Sequence, residues 1–273
     1  MRRFALGCSV ALLFTVHLHA QQPFTTGPCN ADDGNTGDRF SFLGHHARAC
    51  ELRRTTLPLV NGQLNVSGNN GGIEVVGEDR QDIAFEARVV AQGSSREHAE
   101  STLHQIKIVT DGAIEAQGPH FSGWSDGGWS VSYRLRVPRH LAANLRTENG
   151  GIELTNLDGA IHADTTNGGL TLMDLAGEVH ATTVNGGLHV TLAGSQWQGS
   201  GLVAKSTNGG VSIKAPDHYS AHLIAETVNG GISVNFPVTV QGNIRSRLDT
   251  NLGQGGATLQ FQTVNGGVSI ARN

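Results

Sequence analysis

Along most of the chain, apolar and polar positions alternate with a period of two, and a tight Asn-Gly-Gly corner interrupts the alternation at intervals. The corners begin at Asn70, Asn149, Asn167, Asn185, Asn208, Asn229 and Asn265. From Asn149 to Asn229 the steps are 18, 18, 23 and 21 residues. Six residues before each Asn stand Leu64, Ala143, Ile161, Val179, Leu202, Leu223 and Leu259. Three residues after it stand Ile73, Ile152, Leu170, Leu188, Val211, Ile232 and Val268. The columns between are polar and mixed, as in Ser67, Arg146, Asp164, Thr182, Lys205, Glu226 and Gln262. Apolar-in, polar-out with period two marks strands buried on one face.

Each copy therefore reads as a strand, a corner and a second strand, with Asn and Gly supplying the positive φ of a tight turn. In the best-kept copies a second corner follows, at 156–159 and 174–177, with its leucine turned inward. Asn-Gly is also a hairpin signal, so a meander, sandwich or propeller fits one copy taken alone. A period near 20 residues is too short for a four-stranded blade. It suits a single-stranded β-solenoid, an all-β fold in which each copy is one coil stacked on the last. Identical corners would then lie about 4.8 Å apart. Asn would sit over Asn, and each coil would bury aliphatic side chains worth about 1.5–3 kcal/mol apiece.

Residues 76–142 interrupt the repeat. The segments 82–91, 107–117 and 129–138 alternate as strands, and 94–106 reads as a helix. Ser94 and Glu97 have capping-box spacing, while Ala99, Leu103 and Ile106 share a face. The insertion predicts a strand–helix–strand cap over one end or flank of the sheet, shielding an open edge.

The first 20 residues have the order of a secretory signal peptide: Arg2 and Arg3, an apolar run from Phe4 to Val16, then Ala20. Residues 21–49 are polar, and we expect them to be partly disordered. The repeat domain is expected over 50–273. Without Arg2 and Arg3 the balance is 17 basic against 23 acidic residues, a net of −6. That lacks the basic footprint of a nucleic-acid binder. No second apolar stretch is long enough for a transmembrane segment in the mature chain. Beyond the leader two cysteines remain, Cys29 and Cys50. In an exported protein these predict a disulfide, worth about 3 kcal/mol. Aromatic residues make up only 5% of the chain and glycines number 37, which requires many turns and thin apolar layers.

The order of "CELRRTTLPLVNGQLNVSGNNGGIEVVGEDRQDIAFEARV" (50–89), the helix, "YRLRVP" (133–138) and stacked Thr-x-Asn-Gly-Gly coils resembles a bacterial exported family labelled "putative adhesin", a β-strand-repeat domain of unknown function. "GQGGATLQFQTVNGGVSI" (253–270) is similar to that family's closing coils. The resemblance implies a β-helix-like fold, a place in the envelope or outside the cell, and no catalytic motif.

No catalytic residue, metal site or cofactor is expected. His-Glu-x-x-His and phosphate-loop patterns are missing, and the turns lack the aspartates of calcium-binding β-rolls. His162, His180 and His189 stand on neighbouring strands, but outward polar columns are ordinarily solvated. Trp124 and Trp129, in a Gly-rich stretch, and Trp197, in the lengthened 23-residue step, are the candidate ligand-binding residues. Tryptophans outside a repeat can stack on sugars or anchor an interface, or simply fold back over a coil edge. The function expected is that of a non-catalytic structural or interaction protein of the cell envelope or surface, in contact with an unidentified polymer or protein. A carbohydrate-acting enzyme on the same fold and an envelope-stress regulator are the alternatives.

Overall fold

The computed structural model describes residues 23–29, 47–121, 127–235 and 246–273. The predicted signal peptide, most of the polar segment 21–49 and Trp124 lie outside the described residues. The strand before each Asn-Gly-Gly enters a ten-stranded sheet, and the shorter strand after it enters an eleven-stranded sheet. The two sheets close over one apolar core, and both are parallel through the repeat. This is the β-solenoid read from the alternation.

Seven coils carry it. Their paired strands are Gln63–Asn70 with Ile73–Glu78, Ala142–Asn149 with Ile152–Thr155, Asp158–Asn167 with Leu170–Met173, and Ala176–Asn185 with Leu188–Thr191. The last three are Gly201–Asn208 with Val211–Ala215, Ala221–Asn229 with Ile232–Asn235, and Thr258–Asn265 with Val268–Arg272. Register follows the sequence columns position by position. Ile161 lies beside Ala143 and Val179, and Asp164 beside Arg146 and Thr182.

The order of stacking departs from expectation. The chain's seventh coil does not lie on the sixth from outside; it slots between the fifth and the sixth. Leu259 pairs with Leu202 on one side and Leu223 on the other, and Val268 with Val211 and Ile232. Side-chain volume explains the placement. Phe261 is fully buried, flanked in register by Ala204 and Ala225. A large ring between two alanines fills the layer without overpacking. The strand Arg247–Leu252 then pairs antiparallel with Ala221–Asn229 and closes that end of the ten-stranded sheet, burying Leu248 and Leu252.

The corner glycines also act differently from expectation. Asn149, Asn167 and Asn185 and the glycines after them do not take positive φ. Close approach is the constraint: a Cβ on Gly186 would collide with the Gly168 carbonyl, and one on Gly168 with the Gly150 carbonyl. Positive φ belongs to the second corner, at Asn156 (59°), Asp174 (53°) and Gly177 (92°). Leu157 is buried there, as the alternation predicts.

At the other end the inserted segment adds strands to both sheets. Gly128–Pro138 lies parallel on the first coil, followed by Asp82–Gly93, Ala47–Pro58 and Thr25–Pro28, each antiparallel to its neighbour. Ordered pairing thus begins within the segment read as partly disordered. The Cys29–Cys50 disulfide joins the outermost strand region to the next, with a Cα–Cα distance of 5.6 Å. The stretch read as one strand over 107–117 is two, Lys107–Val109 and Ile114–Gln117, pairing antiparallel around a turn that holds Gly112 at φ 84°.

The helix, α1, spans Arg96–Gln105 and packs on the strands Ala47–Pro58 and Asp82–Gly93. Its N-cap is Ser95, not Ser94: the Ser95 hydroxyl accepts from His98 N–H at 3.2 Å. Ala99, Thr102 and Leu103 are buried beneath it. Arg53 points inward and terminates the helix. Its guanidinium donates to the carbonyls of Ile106 (2.5 Å) and Leu103 (3.1 Å), and its Nε to Glu51 (2.5 Å). Carbonyls left over at a helix C-terminus, and the negative end of its dipole, favour a cation there.

Two substitutions test these readings. Gly186→Val should cost at least about 3 kcal/mol, because backbone of the adjoining coil cannot yield to the new side chain. A thermal melt within a degree or two of wild type would show that the corner is assigned wrongly. Arg53→Met keeps the bulk and removes the three bonds; chemical denaturation should show a loss of about 1.5–3 kcal/mol.

Candidate functional site

The corners form one continuous edge. The Nδ2 of Asn149 donates to Oδ1 of Asn70 at 2.9 Å, and the pattern repeats through Asn167, Asn185, Asn208, Asn265 and Asn229, at 2.7–2.9 Å. Two residues before each Asn from Asn149 on, a buried hydroxyl bonds the neighbouring coil, as in Thr165 to the Gly150 carbonyl, Thr183 to Gly168 and Ser206 to Gly186, at 2.8–2.9 Å. Backbone amides answer in the opposite direction, Gly150 N–H to the Asn167 carbonyl and Gly168 N–H to Asn185. Each asparagine between Asn70 and Asn229 in the ladder thereby satisfies one neighbour and is satisfied by another.

Outward columns stack in register on both faces. His162 and His180 are adjacent in the ten-stranded sheet, their rings stacked at 5.1 Å and 5°. His189 stands on the other sheet, beside Thr171 and Ser212, so the fold separates it from the pair. His180 meets Glu178 at 3.2 Å. Among the described residues no three His, Cys, Asp or Glu side chains cluster to hold a metal ion. Near the far end His222 and Arg247 both bond Asp249, at 2.8 and 3.0 Å. First the His222 bond and then Arg247 hold its carboxyl below the ordinary carboxylate range.

Alternation along the strands also builds a charged groove that we had not anticipated from the sequence. It lies on the outer face of the eleven-stranded sheet, where the inserted strands meet the first three coils, and has a volume of about 630 Å³. Across it one register row reads Arg54, Glu86, Arg134, Glu74 and Glu153. Arg54 bonds Glu86 at 2.6 Å, Arg134 bonds Glu74 at 2.8 Å, and Arg134 also approaches Glu86 at 3.5 Å. The adjacent row holds Leu52, Arg88 and Ser132, and then the bare backbone of Gly72, Gly151 and Gly169. Beneath, Tyr133 turns inward against Phe85 and is 2% exposed. Burial, then the charge of Glu115, pushes its hydroxyl's pKa far up. Arginines alternating with other residues in "LRRTT", "FEARVV" and "YRLRVP" were the available signal. Only the pairing of three distant strands places them together.

Of the candidate tryptophans, Trp197 is 6% exposed and sits in the core, its Nε1 donating to the Gly177 carbonyl at 3.0 Å. Trp129 lies at the start of the strand Gly128–Pro138, half-buried against the core, with Nε1 donating to the Pro119 carbonyl at 2.9 Å. Trp129 and Trp197 do not share a surface with the groove. Trp197→Ala should therefore act on stability, costing about 3–5 kcal/mol by leaving a cavity in the lengthened coil. Equilibrium unfolding in denaturant measures it, and a loss below about 1 kcal/mol would put the indole outside the core.

No curated protein matches this chain. Among solved structures, one titled a "putative cell adhesion protein" from Clostridium sporogenes is 12% identical and covers 83% of this chain and 100% of its own, with a TM-score of 0.43. A "putative adhesin" from Bacteroides fragilis is 11% identical over 81% of this chain and 97% of its own, at 0.35. A "putative lipid binding protein" from Parabacteroides distasonis is 9% identical over 84% and 98%, at 0.31. A family model described as Toastrack DUF4097 matches residues 61–271, from the first coil through the seventh, and the chain accordingly belongs to that family.

Proposed function

We propose that this protein is an exported, non-catalytic contact protein of the bacterial envelope or surface, adhesin-like, that lays its repeated coil faces against a polymer or another protein. The carrying observation is the register of the outer columns. On the eleven-stranded sheet Glu74, Glu153, Thr171, His189, Ser212, Ser269 and Ser233 follow one another at strand spacing. A periodic, flat, polar face suits an extended partner better than a small molecule enclosed in a pocket. The Cys29–Cys50 bridge supports an oxidising compartment, and the names of the adhesin-like structures agree with a surface role.

One observation favours a second reading, a polysaccharide-cleaving enzyme: Glu74, Glu86 and Glu153 line the groove together. Glycoside hydrolysis needs two carboxyl groups, one of them a proton donor. Glu74 and Glu86 are engaged by Arg134 and Arg54, an arrangement that grips and orients.

Cosedimentation of the mature chain with isolated envelope polymer, in low and in physiological salt, separates the two. Retention with no shortening of the polymer is expected. Absence of retention would end the contact role, and product release abolished by Glu153→Gln would establish the enzyme.

A further inference from the structure

The groove holds an arginine, Arg88, with no ion-pair partner among the described residues. Three arginines, Arg54, Arg88 and Arg134, occupy its cap end on neighbouring strands, with a single carboxylate, Glu86, among them. Arg54 and Arg134 both turn to Glu86, and Arg134 also takes Glu74. The Nε of Arg88 is buried and has no hydrogen-bond partner. A guanidinium N–H buried without an acceptor is costly, and its retention calls for an explanation.

The surroundings say what would complete it. In register with Arg88 on one side stands Ser132. Its Oγ accepts from Gly72 N–H at 3.3 Å, which leaves its proton free to donate. On the other side stands the apolar Leu52. Arg88 and Ser132 thus present donors toward the same space, the pairing that an oxyanion meets bidentately on an arginine edge. Past Ser132 the floor is the backbone of Gly72, Gly151 and Gly169, bare of side chains, and the far end carries Glu74, Glu153 and Thr171. The arginines thus gather over the cap strands, and Glu74 and Glu153 stand over the first coils beside the bare glycines, Glu74 in contact with Arg134. A chain bearing a carboxylate and several hydroxyls fits that order, with its acid on Arg88 and its hydroxyls on the glutamates. Repeating carboxylates, as in an acidic peptide, would be repelled at the Glu74–Glu153 end.

We propose that this groove binds a carboxylate-bearing saccharide, an acidic segment of a polysaccharide, with Arg88 and Ser132 as the anchor for its carboxylate. The inference rests on the contact role proposed above and names the class of polymer and the place where it is held.

Isothermal titration of the mature chain with a xylo-oligosaccharide bearing a single glucuronate, with the neutral xylo-oligosaccharide of equal length and with oligoglutamate is the test. Arg88→Gln, Arg88→Lys and Arg80→Gln are titrated alongside, each first checked for an unchanged melt. The acidic sugar should bind at least tenfold more tightly than the neutral sugar or the peptide. Arg88→Gln should lose at least tenfold. Arg88→Lys keeps the charge and loses the forked edge, so it should lose several-fold, and Arg80→Gln nothing. Equal binding by wild type and Arg88→Gln would overturn this site while leaving a polymer-contact role standing. Equal binding of neutral and acidic sugars, tighter binding of oligoglutamate, or no binding of the acidic sugar would overturn the ligand class. Envelope cosedimentation tests the contact role independently.

Discussion

The structure depends on how closely one coil can approach the next. At each corner a glycine packs against the carbonyl of the coil below, with no room for a Cβ. That approach lets the buried Thr and Ser hydroxyls reach the neighbouring glycine carbonyls and the asparagine amides reach one another. Widening the corner by one methyl group would lengthen three kinds of bond at once. Regular strand spacing in the two sheets, about 4.8 Å, is thus enforced at the edge where the sheets meet. The aliphatic interior then supplies the stabilisation that no coil obtains alone.

Repetition brings its own hazard, because a stack of near-identical coils has sticky ends. This protein treats its two ends differently. One carries the helix, held by Arg53 through its C-terminal carbonyls, and the antiparallel strands that extend the eleven-stranded sheet to the disulfide. At the other, Arg247–Leu252 folds back antiparallel on the ten-stranded sheet. That antiparallel addition interrupts the parallel template of the ten-stranded sheet, while Ile232–Asn235 is the last described strand of the eleven-stranded sheet. The cap also generates the charged groove, since it brings Arg54, Arg88 and Arg134 against the first coils.

The histidines and tryptophans show how local signals mislead. His162 and His180 are neighbours as the period requires, yet the third histidine belongs to the opposite sheet. Trp197 lies in residues that lengthen a coil, and it returns to the core to fill the space those residues create. A departure from the repeat marks a change in packing before it marks a ligand. The groove, by contrast, shows locally only as scattered outward arginines on three separate strands, each of which reads as ordinary alternation.

Period and alternation were enough to determine the solenoid, its inward columns and the stacking of asparagine on asparagine. Those features depend on spacing along the chain, which the sequence states directly. Tertiary structure alone decided the insertion of the seventh coil between the fifth and sixth, the role of the corner glycines and the meeting of the three arginines. Equivalent columns make any coil an acceptable neighbour by register. The volumes of Phe261, Ala204 and Ala225 suit the order observed. From Asn149 to Asn185 the corner glycines are constrained by atoms of another coil and not by their own φ, and the arginines come from strands whose adjacency is settled by how the cap packs.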